Sequence, residues 1–159
     1  MSYSKFGLSK KSKFMELILI IHSLLRHAAL LLLAALVSVS LSRWIGKKEF
    51  SGLEKKLSLF TMISFDIQLL LGLILYSISP TVRSFFDDFK SAVKVKELRF
   101  FGMEHILLMI LSAVLIHLAF RTAKKAGDSA QKKIAIFSLF ALVLTLAGIP
   151  WFRPLFRGF

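Results

Sequence analysis

The chain has 159 residues, 56% hydrophobic and 19% charged, with a formal net charge of +13 and no cysteine. A soluble domain is about 45–50% apolar with roughly a quarter of its residues charged, so this composition indicates an integral membrane protein. Its basic residues lie between and beside long apolar runs, which favours contact with lipid headgroups over nucleic acid binding. The missing cysteines exclude disulfides, thiolate metal sites and covalently attached haem, whereas a histidine-held b-type haem remains allowed.

Four apolar runs are long enough to predict membrane-spanning helices. In lipid the backbone polar groups must be hydrogen-bonded within the protein, which only helices or closed barrels allow. These apolar runs are too continuous for the alternating strands of a barrel. The fold class we predict is therefore all-α, an integral membrane four-helix bundle forming a single membrane domain over residues 1–159. The predicted helices cover residues 17–41, 57–79, 100–120 and 134–150.

The first apolar run follows a Ser/Lys-rich tail, and in a signal peptide an apolar region likewise follows a basic segment. It is too long for the apolar region of a signal peptide and it contains His22, Arg26 and His27. We interpret it as a retained helix. The second run ends before Pro80 and the fourth at Pro150, since proline does not continue a helix comfortably.

The connections between the runs bear on orientation. Two short basic connections, 43–56 and 121–133, alternate with a longer mixed one, 81–99. Lysines and arginines are almost evenly divided between the two sides of the membrane, but they are denser in the short connections. This density favours a cytoplasmic position for residues 43–56 and 121–133, with both termini outside.

Two histidines fall at matching positions in the first and third predicted helices. His22 and His105 each lie five residues into their helix, and these two helices run in the same direction. Both imidazoles should therefore sit about 7–8 Å below the same surface at 1.5 Å per residue. Two histidines at matched depth on different helices are what axial ligation of a haem iron requires, so we predict haem b held by His22 and His105.

Other ionisable or polar residues inside the predicted helices are also candidates for a functional role, since such groups are costly at membrane depth. Arg26 follows His22 by one helical turn and is expected to contact a haem propionate or a quinone oxygen, or to pair with Asp66 and stabilise the bundle. Asp66 itself could carry protons or contact quinone. Gln68 belongs to a polar stripe whose simplest role is helix packing, and Glu104 is expected to cap a helix or meet Arg26 or Arg99.

The two remaining histidines do not suit a second haem. His27 points about 140° away from His22, and His117 lies about 18 Å from His105 along its helix. A second macrocycle would need matched spacings in both helices. We predict one haem at most, with His27 and His117 as interfacial or hydrogen-bonding residues.

Several stretches together resemble a group of small bacterial four-helix membrane proteins labelled cytochrome b. They are His22–Arg26, Lys56–Met62, Gln68–Tyr76, Arg99–His105 and Ala147–Trp151, so the resemblance covers nearly the whole chain. It implies a haem-binding electron carrier or a small respiratory-chain subunit of the bacterial inner membrane. His27 takes a position where that pattern has an aromatic residue, which also argues against its being a ligand.

Three hypotheses for function follow. The first is a b-type cytochrome that exchanges electrons with quinone or with a respiratory membrane complex. The second is an accessory subunit without cofactor, in which the same polar residues hold the bundle together, as a homo-oligomer or with other chains. The third is a proton, ion or metal transporter, although the sequence lacks the broken helices and inverted repeats of that class. No nucleophile–base pattern or zinc motif is present, so the sequence gives no sign of hydrolytic chemistry.

Overall fold

The computed structural model describes residues 10–127 and 129–153, and within them the fold is all-α. In chain order its elements are α1 (Lys10–Ile45), α2 (Gly52–Ile78), α3 (Pro80–Asp87), α4 (Phe89–Ala92), α5 (Lys96–Arg99), a π-helical turn (Phe100–Glu104), α6 (His105–Lys125) and α7 (Ala130–Ala147). Four stretches are long and apolar enough to cross a membrane: Ser12–Ile45, Gly52–Ile78, Lys96–Lys125 and Ala130–Ala147. The predicted all-α membrane bundle is confirmed. The prediction of one domain over residues 1–159 extends to residues 1–9, 128 and 154–159, which lie outside the described residues.

The four long helices form a ring in the order α1, α2, α6, α7. Extensive contacts join α1 to α2, α2 to α6, α6 to α7 and α7 back to α1. Each of these neighbours runs antiparallel to the next, so α1 and α6 stand diagonally across the ring and run in the same direction. This arrangement brings the first and third membrane spans to opposite sides of one interior.

The helices begin and end at residues that differ from those predicted. The first begins at Lys10, inside the predicted tail, and no proline or glycine interrupts the sequence between Lys10 and Gly46. The connection predicted over residues 81–99 is not an open loop but contains the three short helices. Ser79 caps α3, whose first residue is Pro80, and the Asp88 side chain caps α4 by accepting a hydrogen bond from the Ser91 N–H at 3.2 Å. Hydrogen bonds from Ser91 hold the pKa of the exposed Asp88 carboxyl below its usual range.

The half of the bundle next to the two short connections is closely packed. Ala119, Ala123 and Ala130 are almost wholly buried there against Leu36 and Ile134. Small side chains let membrane helices approach closely, which explains the dense packing. This leaves the opposite half of the bundle as the place for an internal site.

The two short connections lie at the same end of the molecule. The Gln131 side-chain amide donates a hydrogen bond to the Lys48 carbonyl at 2.7 Å. At the same end Glu54 is fully buried. Its Oε2 accepts a hydrogen bond from the Ser51 backbone N–H at 3.0 Å and lies 3.7 Å from the Arg43 Nε. The basic segments 43–56 and 121–133 therefore meet the same membrane surface.

Candidate functional site

A cavity of about 260 Å³ lies between the four long helices, in the half of the bundle away from the short basic connections. His22 and Arg26 of α1 and His105 of α6 line it, so the two histidines singled out in the sequence share one cavity. They reach it from diagonally opposite helices. Polar and small residues of α2 and of the end of α7 complete the wall: Gln68, Gly72, Tyr76, Thr145 and Gly148.

The His105 ring is oriented by the end of α7. Its Nδ1 lies 2.7 Å from the Gly148 carbonyl oxygen. A carbonyl can only accept, so Nδ1 carries the proton and donates it, and Nε2 of the neutral ring keeps its lone pair. Histidines that bind metals almost always donate their other ring N–H in this way, which fixes the tautomer and the ring direction. The contact with Gly148 thus fixes the tautomer of His105 and leaves Nε2 as its unprotonated nitrogen.

His22 faces the cavity from α1 beside Gly72. Its Nδ1 is buried without a hydrogen-bond partner, and buried polar groups that lack a partner are uncommon in proteins. The Gln68 amide donates to the His22 carbonyl oxygen at 3.1 Å, which joins α1 to α2 at this level. A Cβ at Gly72 would lie 3.5 Å from the His22 Cε1, so the glycine leaves room beside the imidazole. The His22 ring therefore has an uncommitted nitrogen next to the cavity.

Arg26 lines the same cavity one turn further along α1, and its Nη2 lies 3.5 Å from the Ser23 hydroxyl. Its suggested partner Asp66 is not among the residues lining the cavity. Asp66 lies instead beside His117, and the Asp66 Oδ1 is 3.4 Å from the His117 Nε2. The structure thus separates Arg26, which belongs to the site, from Asp66, which does not.

A π-helical turn directly precedes His105, and no pattern in the sequence indicates it. Such turns insert one extra residue into a helix and are frequent at functional sites. Within it the Gly102 carbonyl accepts a hydrogen bond from the Tyr76 hydroxyl at 2.7 Å. Gly102 also lies directly against the Phe85 ring of α3. Together these contacts fix the start of α6 relative to α2 and α3.

The cavity is covered at one end by the connection between α2 and α6 and by the residues after α7. Glu104 meets Arg99, one of the alternatives anticipated for it, with 2.6 Å between the Arg99 Nε and a carboxylate oxygen. Arg153 forms an ion pair with Glu97, and its Cζ lies 4.2 Å from the centre of the Phe101 ring. Arg153 also lines the cavity. Sequence reasoning missed Arg153 as a site residue because it follows the last apolar run.

The described residues, 10–127 and 129–153, contain no group of three or more histidine, cysteine, aspartate or glutamate side chains that could hold a metal ion. Two imidazoles suffice for an iron already held by a macrocycle. Comparison with protein-family models, curated proteins and solved structures gives no match. The resemblance to small cytochrome b proteins stays a prediction.

Proposed function

We propose that this chain is a multi-pass membrane cytochrome that binds one haem b between His22 and His105 and passes electrons to or from quinone or a partner subunit. The observation that carries the proposal is the pair of imidazoles on diagonally opposite helices that line one cavity, one of them already held by its Nδ1–H. Bound haem would supply one-electron chemistry at its iron. In this proposal the chain resides in a bacterial inner membrane with the segments 43–56 and 121–133 on the cytoplasmic side.

The donor set of the cavity fits haem b. Two neutral imidazoles suit a low-spin iron, apolar side chains such as Leu19 and Leu69 suit the macrocycle, and the cations Arg26 and Arg153 suit its carboxylates. The volume of about 260 Å³ lies just below that of ligand pockets, which span roughly 300–1,000 Å³. A macrocycle therefore requires wall side chains to move, and Met15 and Met109 are flexible enough to do so.

The chain's own residues have separate tasks in this proposal. Gly148 and Gln68 position the two histidine-bearing helix segments through hydrogen bonds. Arg26 lies at membrane depth, where a cation needs an anionic or polar partner, and a propionate would be one. The first residues of α3 line one end of the cavity.

Haem titration of the purified full-length protein tests the proposal. We expect the Soret absorbance to rise until one equivalent per chain has been added, and dithionite reduction to give the sharp α and β bands of low-spin haem. Empty detergent micelles under the same conditions provide the background. Uptake that never saturates and matches the micelles would overturn the proposal and favour an accessory subunit without cofactor.

A further inference from the structure

An open groove of about 280 Å³ lies on the outside of the bundle, at the end that carries the two short basic connections. Four residues of α1 and one residue of the turn that follows it line the groove: Ser38, Val39, Ser42, Arg43 and Lys48. None of them lines the cavity between the two histidines. The groove is therefore a second candidate binding site, in which two cations meet a lipid-facing helix.

The groove extends from the headgroup level of a membrane into its hydrocarbon. Trp44, next to two of the lining residues, is 39% exposed, and the Lys132 Nζ lies 5.7 Å from the centre of its ring. Tryptophan and lysine side chains concentrate at the membrane–water interface, which places this level of α1 among the headgroups. Ser38 precedes Trp44 by six residues and so lies about 9 Å deeper. Because the interfacial layer is about 5–8 Å thick on each side, Ser38 reaches the start of the acyl chains.

The turn after α1 brings Lys48 to the groove. Lys47 has the left-handed backbone conformation, with φ at 48°, and the Lys48 N–H donates to the Arg43 carbonyl at 2.9 Å. Gln131 of α7 holds the Lys48 carbonyl oxygen at 2.7 Å. A Cβ at Gly46 would lie 3.5 Å from the Lys48 Cε, so the lysine side chain runs back beside the end of α1. The turn thus places a second cation next to Arg43.

The Arg43 guanidinium is held in position by its neighbours. Its Nη1 donates to the Glu49 carbonyl at 2.9 Å, and its Nε lies 3.7 Å from the Glu54 Oε2. A guanidinium has five N–H donors in a planar fork that suits phosphate oxygens, so these two contacts leave it able to donate to a ligand. The Glu49 side chain does not line the groove. One of the two positive charges is opposed by Glu54, and the surplus of one matches the single negative charge of a phosphodiester.

The deeper part of the groove suits an acyl chain. The Ser38 hydroxyl donates to the Ala34 carbonyl at 2.8 Å, so its donor is already used within α1, and its small side chain leaves space. Leu31 lies two turns earlier on the same face and is 72% exposed. An apolar chain that continues from the groove would pack against this leucine. Headgroup chemistry above and hydrocarbon below are the two parts of a phospholipid.

We propose that this groove binds one anionic phospholipid, with its phosphodiester between Arg43 and Lys48 and one acyl chain passing Ser38 along α1. The charge of the surroundings favours an anionic lipid. The segments 43–56 and 121–133 carry ten lysines and arginines against three acidic residues, and such basic clusters attract anionic headgroups. A zwitterionic headgroup would bring its own cation towards the two cations of the groove. The site is independent of haem binding, since the groove and the cavity lie in opposite halves of the bundle.

Native mass spectrometry of the full-length protein, released from a neutral detergent, tests the site by counting bound lipids. The probes are phosphatidylglycerol and phosphatidylcholine with identical acyl chains. We expect one phosphatidylglycerol per chain, bound about tenfold or more tightly than phosphatidylcholine. Lys48→Gln should weaken its binding by about tenfold or more, since hydrogen bonds to charged groups contribute that much. Lys124→Gln removes the same charge from α6, diagonally across the ring, and should weaken it less than about twofold, because salt screens exposed charges over about 10 Å.

A second variant tests the groove without changing its charge. Ser38→Leu fills the deeper part and should also weaken phosphatidylglycerol binding by about tenfold, while the unfolding temperature stays unchanged because Ser38 is exposed. The proposal is overturned if phosphatidylcholine binds as tightly as phosphatidylglycerol, or if Lys48→Gln and Lys124→Gln have equal effects. Inorganic phosphate that binds as well as the lipid would also overturn it, as would a second copy of the chain that stays bound in place of the lipid.

Discussion

Replacement of His105 by alanine is expected to abolish the low-spin haem spectrum and to weaken haem binding by about 100-fold or more. It removes one of the two proposed iron ligands, and changes of outer-shell partners alone cost about 10–100-fold. His22→Ala should do the same. Each substitution removes one of the two imidazoles that line the cavity from opposite sides. The measurement is haem titration of each variant with the reduced spectrum recorded at saturation.

A matched control separates loss of a ligand from loss of fold. His27→Gln also removes a histidine from α1, but His27 does not line the cavity, and the variant should bind haem as the wild type does. Added imidazole should restore a low-spin spectrum to His105→Ala by entering the space that the side chain leaves. If either alanine variant kept the wild-type spectrum and affinity, that histidine would not be a ligand.

Gly102→Ala is expected to destabilise the protein by at least about 1–3 kcal/mol, which is the usual cost of inserting a methyl group into a packed site. The added Cβ would lie 2.2 Å from the Cγ of Phe85. That ring is 1% exposed and has edge-on contacts with Phe86 and Phe89, with both ring centres 5.2 Å from its own, so it has little room to move. Thermal unfolding in detergent, followed by circular dichroism, measures the loss.

The control for Gly102→Ala is a glycine whose added methyl group meets nothing. No heavy atom lies within 4 Å of a Cβ built at Gly52, so Gly52→Ala should leave the unfolding temperature unchanged or raise it slightly. Because Gly102 lies just before His105, Gly102→Ala should also weaken haem binding when haem is present. Equal unfolding temperatures for the two variants would show that the contact between Gly102 and Phe85 does not constrain the start of α6.

Much of the bundle could be predicted because lipid imposes simple rules. Long apolar runs must be helical, and alternating direction places the first and third spans parallel. That was enough to anticipate that His22 and His105 face one interior. Haem itself was inferred from the matching positions of the two histidines.

Other features depend on contacts between distant residues and leave no pattern in the sequence. Nothing in the run Phe100–Glu104 distinguishes a π-helical turn from an ordinary one, because the difference is stabilised by Tyr76 and Phe85 from other helices. Asp66 could be recognised as needing a partner, but the choice of His117 over Arg26 depends on how α2 and α6 are rotated. Arg153 was missed because the segment after α7 folds back over the cavity.

Near-infrared magnetic circular dichroism of the oxidised, haem-loaded protein tests the central claim most directly, because its charge-transfer band reports which groups bind the iron. The account predicts one haem per chain with the band of bis-imidazole ligation, and the loss of that band in both His22→Ala and His105→Ala. A high-spin iron, a band from a different ligand pair, or a bis-imidazole band that survives either substitution would contradict it.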